Sequence, residues 1–423
     1  MTTQAITAPI TSEATSASRT RAFQVAWGLA LCFYFLEYAA RSAPAVMIPQ
    51  LSLAFGATAV GVSAILGAYY YTYSVTSLIA GAALDRLGAK KAVPVGIFIL
   101  AVGCVIFSLS SSTAGYTGRL LQGAGSAFAF TGAVYLATHG FSARWLATAI
   151  GVTQCLGMLG GSAGQFAVGP LLEHGLAWQT VWHSLGAASF AIGVLLLVSA
   201  PAETRPQGAT SGWASVLAPY RVVFRNPQSY LCGAVAGLLF VPTTIGAMTW
   251  GVAFFQRDGM FSFHDAVVTG SLIPLGWVIG CPLLGWLADR IGLRKPVLIG
   301  GAVVMLLSAA GIAFSTSHHA EAIGCFIFGV ASGAAMIPYT IVKEVNPDEV
   351  KGSATGAINF LTFGVTALVG PIFADSIGKG IASAPNHVVH FRESVVFWMI
   401  GITLAILLSA FLRETGHAKK GTA

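Results

Sequence analysis

Twelve runs of about twenty apolar residues, each closed off by charges, prolines or glycine turns, leave this chain few ways to fold. They lie at roughly 23–47, 59–83, 92–111, 115–138, 145–171, 178–200, 229–254, 265–287, 296–316, 321–342, 353–375 and 394–412. A helix needs about 20 such residues to cross the hydrocarbon core of a bilayer. Lipid leaves only helices and closed barrels as spanning structures, because no water is there to satisfy the backbone. Composition agrees: 55% of the 423 residues are hydrophobic, 9% are charged and the mean hydropathy is +0.76, whereas about 25% of a soluble domain is charged. The expected fold is an all-α membrane protein with twelve transmembrane helices. The 50 glycines suit helices that approach closely in lipid.

The longest interruption, 201–227, carries Pro201, Pro206, Pro219, Pro227 and three arginines. It reads as a linker between two six-helix bundles, 22–200 and 228–414, with a mobile tail over 1–21 and another tail over 415–423. The first eighteen residues are rich in Thr, Ser and Ala and lack the apolar run of a cleaved signal peptide. With the N-terminus inside, seventeen of the 22 Lys and Arg residues fall on the inner side, three fall outside, and Arg41 and Arg119 lie within spans. That bias places both termini in the cytoplasm. It also accounts for the net charge of +7 without a nucleic-acid partner. The six cysteines all sit in apolar runs with no CxxC pair and read as small packing residues. His318 and His319 are adjacent in an outer loop with no acidic cluster, so no metal site is expected, and nothing points to a cofactor.

The two halves repeat. Gly81-Ala-Ala-Leu-Asp85-Arg86-Leu-Gly88-Ala-Lys90-Lys91 after span 2 returns as Gly285-Trp-Leu-Ala-Asp289-Arg290-Ile-Gly292-Leu-Arg294-Lys295 after span 8. Thr148-Ala-Ile-Gly151 and Gly169-Pro170 of span 5 are echoed by Ala354-Thr-Gly356 and Gly370-Pro371 of span 11. Parallel duplication of six helices is the symmetry of one large transporter class, with substrate held near midplane between the halves.

Within span 1, Glu37 and Arg41 stand one turn apart and share a helix face. Charges at the centre of a spanning helix cost roughly 2.5–3.5 kcal/mol each on insertion scales and mark substrate or proton pathways. Of the fifteen acidic residues only Glu37 falls deep in a span, which makes it the natural proton carrier. Arg41 is the natural anchor for an anionic group, since its planar fork matches a carboxylate. A substrate carboxylate on Arg41 would compete with Glu37 for the guanidinium, a route from binding to protonation.

These motifs resemble the major facilitator superfamily over residues 22–414. The resemblance implies that Asp85, Arg86, Asp289 and Arg290 gate the cytoplasmic mouth, the carboxylates meeting the helix N-termini of spans 11 and 5 across the interface. Arg119-Leu-Leu-Gln122-Gly123-Ala-Gly125 in span 4 resembles the family signature whose arginine is linked to proton coupling; without the family, Arg119 would simply snorkel to the interface. Gly157-Met-Leu-Gly160-Gly161-Ser-Ala-Gly164 in span 5 resembles a motif associated with antiporters, and is read as helix packing. More narrowly, the stretch Leu36–Met47, Tyr69–Tyr73 and Gly125–Phe130 are similar to the phagosomal-transporter group of bacterial facilitators, which import amino acids or nucleosides.

In that fold spans 1, 4, 7 and 10 line the cavity, flanked by 2, 5, 8 and 11. The candidate substrate contacts are therefore Arg41, Tyr34 and Tyr38 on span 1, with Tyr69, Tyr70 and Tyr73 on span 2. Gln154 on span 5, Trp250 on span 7, Tyr339 on span 10 and Asn359 on span 11 complete the set. No nucleophile elbow, phosphate-binding loop or paired deep carboxylates appear, so neither an enzyme nor an ATP-driven pump is expected. The expectation is a monomeric, multi-pass, proton-coupled secondary transporter of a bacterial inner membrane, moving a small organic anion or amino acid. The alternative is a drug or siderophore exporter.

Overall fold

The computed structural model describes residues 10–202, 213–257, 261–315, 317–383 and 388–416, and every regular element among them is helical. The first six spans are the helices Ile10–Ser42, Ala59–Leu87, Ala89–Phe107, Ser112–Gly140, Ala143–Phe166 and Trp178–Ser199. The second six are Pro227–Arg257 (three consecutive helical segments), Phe263–Ile291, Lys295–Phe314, His318–Glu344 (also segmented), Lys351–Ser383 and Val388–Ser409. Among the described residues, ten stretches are long and apolar enough to cross a membrane unaided. Ala59–Leu84 passes only together with the short helix Ile48–Phe55, from which it bends by 95°, and Val395–Ser409 is a shorter apolar helix in the twelfth position. Span 1 is helical from Ile10, well inside the expected tail, whose residues 1–9 lie outside the described residues, as do 203–212 of the linker. The rest of the linker forms the helix Trp213–Arg225.

Local sequence explains where the helices start and stop. Thr58, Ser111, Asn226 and Ser262 open spans 2, 4, 7 and 8, their side chains accepting from the backbone N–H of Gly61, Ala114, Gln228 and Asp265. Each such cap contributes about 1 kcal/mol. At the other end of spans 2 and 8, Gly88 and Gly292 of the repeated loop adopt φ of 69° and 72°, a conformation open to glycine and costly for other residues.

Three of the four helices expected at the cavity are irregular. Span 1 tightens into a 3₁₀ turn at Ala43–Val46 around Pro44. Span 7 widens into a π-helix over Pro242–Trp250, and span 10 is interrupted by a 3₁₀ turn at Gly333–Met336 ahead of Pro338. Such interruptions free backbone groups and often mark functional sites. The halves meet chiefly through span 2 against span 11 and span 5 against span 8.

Candidate substrate site

Span 1 brings Glu37 and Arg41 to the centre of the molecule, both wholly buried and bonded to each other through Arg41 Nη2 and Glu37 Oε1. Tyr69 of span 2 joins them: its hydroxyl donates to Glu37 Oε1 and accepts from Arg41 Nη2 at 3.0 Å. The guanidinium lies among rings, with the centroids of Tyr38, Tyr73 and Tyr69 at 4.2, 4.8 and 5.0 Å and that of Phe363, from the other half, at 5.2 Å. Cation–π contacts of this kind contribute up to about 2 kcal/mol when desolvated. The pair is nevertheless incompletely satisfied. Among the described residues, Glu37 Oε2, Arg41 Nε and Arg41 Nη1 are buried with no hydrogen-bond partner, and each such atom costs about 1–3 kcal/mol.

Beside this cluster, between the halves, lies a narrow cavity with about 10 Å³ of free volume, room for about one water molecule. Tyr34, Tyr38, Tyr73 and Gln154 face it from the first half, Tyr339 and Asn359 from the second. Two tyrosine–amide pairs frame it: Tyr34 Oη donates to Gln154 Oε1 at 3.2 Å and Tyr339 Oη to Asn359 Oδ1 at 2.8 Å. Glu37 and Arg41 sit one layer of rings behind the wall. Six sequence candidates thus converge on the cavity, and Arg41, Glu37, Tyr69 and Tyr70 form its backing.

Trp250 does not join them. Its indole N–H donates to Ser63 Oγ at 3.0 Å: ten residues beyond Phe240 of the cavity wall, it joins span 7 to span 2 on the side opposite the termini. Arg119 does not snorkel. It is buried and donates to the carbonyls of Ala40 at 3.2 Å and Leu66 at 3.4 Å and to Gln122 Oε1 at 2.7 Å, with its guanidinium 4.8 Å from the Tyr69 ring. Tyr69 therefore stands between the two arginines. Sequence reasoning missed Phe130, Phe240, Met336 and Phe363, all on the cavity wall. Phe363 follows Asn359 by one helical turn, and that spacing was the available signal.

The halves are bonded to each other on both sides of the pair. Away from the termini, Gln165 Nε2 donates to Ala247 O at 3.1 Å and Ser162 Oγ to Ser271 O at 3.1 Å. Toward the termini, Ser74 Oγ donates to Phe360 O at 2.7 Å, and Tyr220 Oη of the linker helix donates to Leu78 O of the first half at 2.9 Å. Asp289 does not reach across to span 5 as expected. Its carboxylate, largely exposed, pairs with Arg294 of its own loop, and Arg294 also donates to Glu344 at 3.0 Å. The loop is short enough to satisfy both charges locally. Arg290 lies over Trp286 at 5.2 Å. Arg86 is engaged within the fold, and the Asp85 side chain lies outside the described residues.

Next to this loop Glu414 accepts from the backbone N–H groups of Arg294 and Lys295 at 2.7 and 3.0 Å, and of Thr415 and Gly416 at 3.0 and 3.2 Å. Burial pushes its carboxyl up, but these four donors outweigh that and hold it below the ordinary carboxylate value.

Residues 30–371 match the sequence model of the Major Facilitator Superfamily. The chain belongs to this superfamily. It is 27% identical over 323 residues to the citrate-proton symporter of Klebsiella pneumoniae, covering 68% of this chain and 69% of that protein. It is 24% identical over 382 residues to the drug efflux pump JefA of Mycobacterium tuberculosis, covering 75% and 73%. Against the glucose transporter GlcP of Staphylococcus epidermidis it is 29% identical over 185 residues, 40% of this chain and 41% of that one, so the chain aligns with well under half of that relative. Among solved structures, a bacterial homologue of the lysosomal transporter Spinster, inward-facing and unoccupied, superposes with TM-score 0.72 at 15% identity over 92% of this chain and 97% of that one. A point mutant of the nucleoside transporter NupG gives 0.71 at 15% over 92% and 99%. At these identities the likeness is one of fold: a multi-pass membrane protein with the facilitator architecture.

Proposed function

We propose that this facilitator is a proton-coupled secondary transporter of a small carboxylate-bearing metabolite, working as a monomer in a bacterial inner membrane with both termini in the cytoplasm. The observation that carries the reading is the buried Glu37–Arg41 pair, left with three unpartnered polar atoms beside a cavity between the two halves. A pair kept only for structure gains by satisfying its atoms; a transport pair keeps hydrogen-bonding capacity for its cargo. The substrate carboxylate takes the free N–H groups of Arg41, weakening its hold on Glu37. Glu37 then takes a proton, and the neutralised site crosses as the halves rock about it. Arg119 supports this step through Tyr69. No residue set for covalent chemistry is assigned, so the reading excludes an enzyme.

The similarity to a drug efflux pump favours export of an amphiphile as a second reading. The test is uptake of labelled carboxylates by proteoliposomes under an imposed proton gradient. Arg41→Lys is expected to lower uptake at least tenfold, and Glu37→Gln to flatten its pH dependence. Uptake by Arg41→Lys equal to that of the parent protein would sink the anchoring role.

A further inference from the structure

The geometry points to an aryl monocarboxylate as the substrate, its ring lying between the ring-lined walls of the central cavity once the halves part and its carboxylate reaching Arg41. The inference rests on the proposed transport of a carboxylate and narrows it.

The cavity wall is the first observation. Besides its three tyrosines from spans 1 and 2, the wall carries Phe130, Phe240 and Phe363, and Tyr339 faces them. Flat rings on opposite walls accept a planar unsaturated body in stacked or edge-on contact, each pair adding about 0.5–1.5 kcal/mol beyond burial.

The second observation is the single cation behind the wall. The hydroxyls of Tyr34 and Tyr339 are engaged with Gln154 and Asn359, and Arg41 is the cation whose guanidinium lies against the wall rings of Tyr38, Tyr73 and Phe363. A tricarboxylate would need several cations, so citrate, the named cargo of one relative, fits this cavity poorly.

The third observation is the seal. Phe363 touches Tyr73 with centroids 4.5 Å apart, stacks on Tyr70 at 6.2 Å and lies 5.2 Å from the Arg41 guanidinium. Its ring comes from span 11, whereas the guanidinium belongs to span 1. A carboxylate that binds Arg41 from the cavity enters this cluster of rings, so binding acts on a contact between the halves. A zwitterion is disfavoured by the same scheme. Once Glu37 is protonated, the groups around the pair are Arg41, Arg119 and the hydroxyls of Tyr34, Tyr38, Tyr69 and Tyr73, none of which holds an ammonium ion as a counter-charge.

The experiment is thermal unfolding and calorimetric titration of the purified full-length protein with benzoate, benzyl alcohol, lactate, phenylalanine, citrate and glucose. Benzoate is expected to raise Tm by about 2 °C or more near 100 times its Kd, and benzyl alcohol, citrate and glucose to leave it unchanged. Arg41→Gln should abolish the shift. Phe363→Ala should cut the preference for benzoate over lactate at least tenfold, while Phe363→Tyr keeps it. The Phe363 variants carry the test if Arg41→Gln fails to fold. Lactate binding as tightly as benzoate, with both dependent on Arg41, would overturn the aryl inference and leave the carboxylate reading standing, as would binding of phenylalanine alone. Binding of benzyl alcohol, glucose or citrate in place of benzoate would overturn both, and no response to any of the six overturns the aryl assignment.

Discussion

Tyr69 ties the charged cluster into one unit, because its single hydroxyl serves both Glu37 and Arg41 while its ring separates Arg41 from Arg119. Tyr69→Phe removes that hydroxyl without changing the ring, and an abandoned buried acceptor costs about 1–3 kcal/mol; Tm of the purified protein should fall accordingly. The ion pair invites a sharper comparison. Arg41→Met alone strands a buried carboxylate and should destabilise by about 3–5 kcal/mol, whereas Glu37→Leu with Arg41→Met should return close to the parent stability. Denaturation of the single and double variants measures the difference. A double variant that melts normally yet transports nothing would show that the pair serves function; one as unstable as Arg41→Met would make it structural. Glu37 and Arg41 were legible in the sequence because charge is conspicuous in an apolar run. Phe363 was less so: its one mark was its place a turn after Asn359, and one phenylalanine among 26 does not stand out until span 11 is seen packed on span 2 beside Arg41.

Helices here are held by contacts their own sequences specify. In span 5, Gly160 and Gly164 lie against the carbonyls of Phe35 and Ala39, and Gly157 against the Tyr34 ring, so the glycine stripe seats span 5 on span 1, as its spacing suggested. A methyl at Gly160 would overlap the Phe35 carbonyl, and Gly160→Ala should lower Tm and disturb the Tyr34–Gln154 bond nearby, weakening binding too. At the start of span 9, Glu414 caps two backbone N–H groups from the far end of the chain. Glu414→Gln should cost about 1 kcal/mol. The pH dependence has a fixed sign: the folded value lies below the unfolded one, so this contribution is complete above about pH 4.3 and fades as pH falls through the depressed folded value. Comparing Tm against pH for parent and Glu414→Gln checks it, the gap between the two curves closing only on acidification. The periodic glycines could be read from spacing alone. The Glu414 cap could not, because it joins residues 120 positions apart, and the π-helix over Pro242–Trp250 left no sign in the apolar run it interrupts.

At the scale of the whole molecule, duplication was the most legible property: matching loops 204 residues apart implied two six-helix halves, and the structure has them. Which contacts join the halves was not legible, because these are mostly side chain to carbonyl bonds, such as Ser74 to Phe360 and Ser162 to Ser271, and serine appears throughout the chain. Their placement makes a mechanical prediction. With bonds on both sides of Glu37 and Arg41, the arrangement is closed at both ends, and transport requires each set to break in turn. A short thiol cross-linker between Ser162→Cys and Ser271→Cys should therefore fix the side opposite the termini shut while leaving the other free to open. Among the native cysteines Cys155 already bonds across the halves to Val278 O at 3.2 Å, so it is replaced by Ser in the test protein. Cross-linked protein in proteoliposomes should lose transport at least tenfold, while ligand still binds from the termini side with little change in Kd. Cleaving the linker should restore the rate. Unimpaired transport by fully cross-linked protein would show that the halves need not part at Ser162 and Ser271, and alternating access at that interface would be wrong.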